Sequence, residues 1–209
     1  MYLPKHFEET RAEVLQALMR SHPLATLVTT GAAGLQAEHL PLEFDAAAGL
    51  LRGHVARANP VWREADTATA ALAIFQGPQH YVSPSWYPSK QADGRVVPTW
   101  NYIVVHARGE LRFVEDHDWL RALVGRLTDR HEAASAQPWQ LSDAPEEFIE
   151  RQLGAIVGVE LRISALQGKW KLSQNRPAAD RAGVVAGLQQ QEGEAAAAMA
   201  AQVLGAMER

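Results

Sequence analysis

The chain has 209 residues, of which 47% are hydrophobic and 21% charged, so it is long enough to bury a core and too apolar to be intrinsically disordered. It contains no cysteine, which excludes disulfides, thiolate nucleophiles, iron–sulfur clusters and Cys-ligated zinc. A formal net charge of −4 gives none of the basic footprint expected of a nucleic-acid-binding domain.

The N-terminal stretch MYLPKHFEETRAEV is charged and carries no apolar leader segment. No run in the chain approaches the roughly 18 apolar residues of a membrane span, so a soluble, cytoplasmic protein without membrane contact is expected. From Glu8 to Arg20, Val14, Leu15, Leu18 and Met19 share one face opposite charged residues, which predicts an amphipathic helix stopping at His22-Pro23. Short β-compatible runs follow at 24–30, 35–44, 50–55 and 68–75, punctuated by Gly31, Gly34 and Gly49, as in an antiparallel meander. Two later strands show plainer alternation: Val105, Ala107, Leu111 and Phe113 in one, Val157, Val159, Leu161 and Ile163 in the other. Between them Asp116 is placed to cap a helix to about His131, and Pro145 to begin another through Leu153. The tail from Asp180, with its alanine run 195–198, reads as helical.

About six short strands joined by hairpins, with helices at the ends and in one excursion, predict a mainly β chain: an antiparallel barrel with peripheral helices, folding as a single domain over 1–209. Strictly alternating βα units are missing, which argues against a parallel nucleotide-binding sheet.

Common catalytic signatures are absent from the sequence: no GxGxxG, GxxxxGK[ST], HExxH or GxSxG occurs. The eight histidines form no i, i+2 or i, i+4 pair, so no metal site is expected. Three segments are richer. In LLRGHVARANPVWREAD a strand turns into Asn59-Pro60, an N-cap and first-turn pair; amides at a helix start and the forked cation of Arg57 suit a phosphate. The alternative is a solvated arginine and a simple cap. GKWKLSQNR gathers Lys169, Lys171 and Arg176 around Ser173, Gln174 and Asn175, a set that can surround an oxyanion or form a polar loop. GPQHYVSPSWYPSK and VPTWNY hold three of the four tyrosines and two of the six tryptophans. On the rigid loop SPSWYPSK such rings serve either to stack on a planar ligand or to fill a core or subunit interface.

MYLPKHF, GHVARANPVW, FQGPQHYVSPSWY, VPTWNYIVVHARG and KWKLSQNR, in this order over nearly the whole chain, resemble the PaiB-type FMN-binding transcriptional regulators. The resemblance implies a split β-barrel of the flavin-reductase and pyridoxamine-phosphate-oxidase type, a homodimer, and FMN between the subunits. Carried over by position, it implies that His39 and Leu40 lie along the isoalloxazine ring. It sets His54, Ala56, Arg57 and Asn59 near the phosphate, Thr99, Trp100 and Asn101 on another wall, and Lys171, Ser173 and Gln174 closing the site. DNA enters only through the family's name, because no recognition helix or basic stripe is visible in the sequence. Two functions stand side by side: an FMN-binding, negatively acting regulator, and an FMN-dependent oxidoreductase acting on a small organic substrate.

Overall fold

A computed structural model describes residues 1–208. The first segment pairs rather than coils: β1 (Glu8–Glu9) sets Glu8 opposite Lys169 and Glu9 opposite Gly168. The buried Glu9 carboxylate accepts hydrogen bonds from Arg11 N at 3.0 Å and Arg11 Nε at 2.9 Å. Helix α1 (Ala12–Ser21) therefore starts four residues later than its amphipathic pattern suggests, and it ends before Pro23 as expected.

The meander follows as β2 (Leu24–Gly31), β3 (Gly34–Pro41), β4 (Glu43–Asp45) and β5 (Leu50–Ala56). Gly34 and Gly49 sit at φ of 101° and 66°, the left-handed turns that let consecutive strands reverse. A four-residue α2 (Val61–Glu64) leads to β6 (Ala71–Val82), α3 (Ser89–Ala92) and the long β7 (Thr99–Val114). Asp116 Oδ1 accepts from Trp119 N at 2.8 Å and caps α4 (His117–Glu132), after which α5 (Glu146–Gly154) begins at Pro145. Strand β8 (Ile156–Lys171) and helices α6 (Ala178–Gln189) and α7 (Glu194–Met207) complete the described chain.

The strands form one sheet in the order β3-β2-β6-β7-β8-β5-β4, with β1 added on β8. β2 pairs with β3 and β6, and β5 with β4 and β8, each antiparallel. This is the antiparallel, mainly β architecture with peripheral helices that the sequence predicts.

The chain's contacts cluster into two compact units, and β6, β7 and β8 run from one into the other along their length. Unit 1 comprises 1–18, 76–106 and 167–208, and unit 2 comprises 19–75 and 107–166. Within unit 2, Leu120 of α4 and Ile149 and Leu153 of α5 form a buried cluster edged by Trp119, Val124 and Ile156. Truncating any of the three to alanine removes about 2–5 kcal/mol. Within unit 1, Trp86 lies on α6, where a Cβ at Gly187 would stand 2.3 Å from the indole. Only a glycine admits the ring there. Asp180 fixes the loop above it by accepting from Ser89 N at 3.0 Å and Ser89 Oγ at 2.7 Å.

Candidate functional site

In unit 2 the turn after β5 satisfies itself. Arg57 Nε donates to Gly154 O at 2.8 Å, one terminal nitrogen donates to Glu115 at 2.5 Å and the other to Ile156 O at 3.2 Å. Three of the five guanidinium N–H groups are thus held by the protein, and the cation has a counter-charge in Glu115. Arg57 also supports the fold through its backbone, its N–H meeting Ala155 O at 2.8 Å. Its carbonyl accepts from Trp62 Nε1 at 2.9 Å. The amide of Asn59 binds Ala56 O at 2.9 Å, and Asn59 Oδ1 accepts from Val61 N at 2.9 Å. Asn59 therefore makes a local turn bond, with Pro60 as the cap, and α2 is a single turn with little dipole to offer. The fork and the helix start that the sequence offers to a phosphate are, in the structure, an ion pair with Glu115 and one helical turn.

Around that turn Ala56 is exposed, and His54 is half-buried on β5. His54 lines a cavity of about 330 Å³ with Pro41, Leu127, His131, Glu132 and Trp139, and burial lowers its pKa. On β3, His39 is exposed and Leu40 buried, as alternation along a strand requires.

Unit 1 gathers the second set of residues on two strand ends and the turn that follows. Thr99, Trp100 and Asn101 open β7, while Lys171 ends β8. Alternation sends Asn101 inward, fully buried, and leaves Trp100 53% exposed with its ring 6.1 Å from that of Tyr81. Lys171 Nζ joins the two strands by donating to Thr99 Oγ1 and, at 2.6 Å, to Trp100 O. Burial lowers the Lys171 pKa, and the neighbouring charges of Lys169 and Arg176 lower it further.

The turn itself is strained. Ser173 has φ of 63°, the one non-glycine residue among those described with a positive φ, a conformation that costs on the order of 1–3 kcal/mol. Gln174 holds it there: its Oε1 accepts from Leu172 N at 2.7 Å and its Nε2 donates to Trp170 O at 2.6 Å. The strain points the buried Ser173 hydroxyl at Asn101 Oδ1, 3.1 Å away. With its oxygen so engaged, Asn101 leaves Nδ2 buried and without a partner in the protein. Leaving a buried donor unmet costs about 1–3 kcal/mol.

These groups line a small cavity of about 80 Å³, together with Tyr87 and Arg176. Tyr87 is buried, its hydroxyl has no partner of normal hydrogen-bond geometry, and the Arg176 guanidinium lies 5.0 Å from its ring centre. Burial raises the Tyr87 pKa, and the Arg176 charge opposes the rise. Sequence reasoning does not single out Tyr87 as a cavity residue; its signal is the loop SPSWYPSK, whose rings read as stacking on a planar ligand or filling a core or subunit interface. Arg176 was visible as part of the basic cluster. Thr99, Asn101, Lys171 and Ser173 are brought together here, Gln174 supports the turn, and Trp100 faces the other side of its strand.

A group with acceptor oxygens, such as a phosphate, fits this donor set, because the cavity presents an unmatched amide, a phenol and two cations. Comparison with known proteins identifies the family. Residues 1–165 match the family described as "Putative FMN-binding domain". The chain is 34% identical over 202 residues to "Protease synthase and sporulation protein PAI 2" of Bacillus subtilis, covering 96% of this chain and 95% of that protein. It is also 34% identical over 227 residues to an uncharacterized protein of Emericella nidulans, covering 90% of each. Among solved structures, the flavocytochrome Anf3 of Azotobacter vinelandii superposes with a TM-score of 0.60 at 11% identity, over 81% of this chain and 72% of that one, a likeness of fold. The chain belongs to the PaiB-type FMN-binding family, with a split-barrel fold and FMN as its cofactor.

Proposed function

We propose that the chain is an FMN-dependent negative regulator of transcription, acting in the cytoplasm as a homodimer of single-domain subunits with the flavin held where two copies meet. The observation that carries the flavin part is the buried, partnerless Asn101 Nδ2 in a cavity lined by Lys171 and Arg176. The regulatory part is supported by the Bacillus subtilis relative, whose name ties that protein to protease synthesis and sporulation. In unit 2 the proposed contacts are His39 and Leu40 along the isoalloxazine and His54, Ala56, Arg57 and Asn59 toward the phosphate. Arg57 would have to exchange its Glu115 partner to serve. In unit 1 they are Thr99, Trp100, Asn101, Lys171, Ser173 and Gln174. When bound, FMN supplies reversible electron and hydride transfer.

No helix among the described residues is long and apolar enough to cross a membrane. A net charge of −4 gives duplex DNA little to attract it, so regulation is proposed to pass through a protein partner or the flavin's redox state. The competing reading is an FMN-dependent oxidoreductase, favoured by the exposed Tyr81–Trp100 pair, whose rings offer a face to an organic substrate. The purified FMN-loaded chain, titrated into duplex DNA from its own upstream region and assayed separately for NAD(P)H oxidation, distinguishes them. Weak, unselective DNA binding without NAD(P)H turnover is expected. Rapid NAD(P)H-dependent flavin reduction would put the oxidoreductase first, and a monodisperse monomer binding FMN stoichiometrically would remove the dimer.

A further inference from the structure

We propose that the small cavity of unit 1 is an oxyanion-recognition pocket: Asn101 Nδ2, Lys171 and Arg176, with Tyr87 Oη, receive a carboxylate or phosphate group. The inference deepens the flavin reading by assigning a chemistry to one part of it, and it stands on four features of this chain.

First, the donors are unmatched. Asn101 and Tyr87 are 0% and 2% exposed; Asn101 Nδ2 finds no partner in the protein, and Tyr87 Oη has only Ser173 and Arg176 near it, neither in normal hydrogen-bond geometry. Buried polar groups are nearly always hydrogen-bonded, so the unmet amide lining this small cavity calls for an acceptor from outside. Second, the charges are unmatched. Two cations and no carboxylate line the cavity, the charges acting on Lys171 are those of Lys169 and Arg176, both of like sign, and the Asp180 carboxylate that acts on Tyr87 is engaged by Ser89. Water would satisfy the amide and the phenol yet leave the cations without counter-charge; an oxyanion meets both needs at once. Third, the arrangement is held in place before any ligand arrives. Gln174 clamps the positive-φ turn, Ser173 Oγ holds the Asn101 side chain through a 3.1 Å hydrogen bond, and two protein oxygens orient Lys171. Such strain, held by neighbouring bonds, is the mark of a site rather than of a connector. Fourth, about 80 Å³ matches the scale of a small anionic group, so the cavity suits one end of a ligand.

The oxyanion has two chemical sources, the flavin's own phosphate or the acid group of a second ligand, and one experiment separates them. Isotope-labelled full-length protein is titrated with inorganic phosphate, acetate, FMN and riboflavin at ionic strength held constant with sodium chloride. The side-chain amide signal of Asn101, assigned by its loss in Asn101→Leu, is followed by NMR while flavin binding is followed by fluorescence. Phosphate or acetate is expected to shift the Asn101 signal saturably, and Lys171→Met to weaken that binding at least tenfold. Should Lys171→Met fail to fold, Arg176→Gln carries the same expectation. A shift produced by FMN but not by riboflavin identifies the flavin phosphate as the occupant. A shift by phosphate or acetate that persists in FMN-loaded protein identifies a second, acidic ligand. An Asn101 signal unmoved by phosphate, acetate and FMN, in protein whose fluorescence titration shows normal FMN binding, overturns the pocket while leaving the flavin reading intact. Absence of flavin binding with a saturable phosphate shift does the reverse.

Discussion

The turn at 54–62 in unit 2 and the cavity beside 171–176 in unit 1 look alike in sequence, each a strand running into a short segment with arginine, asparagine and a potential anion. In three dimensions they are opposites. At the first, Arg57 spends three donors on Gly154, Ile156 and Glu115, and Asn59 closes its own turn. At the second, Asn101 Nδ2 stays buried and unmet while Lys171 and Arg176 face no acid in the cavity wall. A residue type that can bind a ligand contributes to folding where the protein already satisfies it, and to recognition where it does not.

The sharpest way to break this contrast is Arg57→Ala. The committed guanidinium implies a loss of about 2–3 kcal/mol in unfolding free energy by urea titration. An unchanged unfolding free energy would show that the guanidinium adds nothing to the fold and would erase the contrast.

A second test uses another satisfied ion pair of unit 2. The buried Glu160 receives Arg52 Nε at 3.0 Å and Arg112 Nε at 2.6 Å, which outweigh the upward push of burial and hold its carboxyl below the usual carboxylate range. A carboxyl more acidic in the fold than in the open chain adds stability above its ordinary pKa and loses it as pH falls through the folded value. Glu160→Gln should cost about 1–2 kcal/mol at neutral pH and flatten the decline of the thermal midpoint in acid. An unchanged acid slope would show that the pair adds nothing.

The third test concerns the unmet side of the contrast. Asn101→Leu removes an orphan donor along with the acceptor of Ser173, so the ligand-free protein should stay within about 1 kcal/mol of the parent. A loss of several kcal/mol would make Asn101 a structural residue. The smallest effect belongs to His54. Burial lowers its pKa, so the neutral ring is favoured in the fold, and stability present above the ordinary imidazole range declines as pH falls through that range. His54→Gln should remove that shallow slope from the pH–stability curve; if the slope persists, another group causes it.

What was legible in the sequence was local. The Asp116 cap, the start at Pro145, the hairpin glycines and the alternation at 105–113 and 157–163 depend on neighbours within a few residues, and each appears in the fold. The Glu8–Glu9 strand was read as helix because its pairing partners are Lys169 and Gly168, far along the chain. The length of β8 was hidden for a related reason: GKWK reads as a basic loop segment, yet Lys169 and Trp170 are both buried in the strand. The site divides in the same way. The basic cluster and VPTWNY could be recognised as segments, but whether a cation is free depends on residues far away. Glu115 lies 58 positions from Arg57, and Asn101 lies 72 from Ser173.

The most direct measurement is a titration of the purified full-length chain with FMN, followed through the flavin's visible absorption and fluorescence. Saturable binding that reaches one FMN per chain is the expected result. Absorbance and fluorescence that remain those of free flavin at every protein concentration would contradict it.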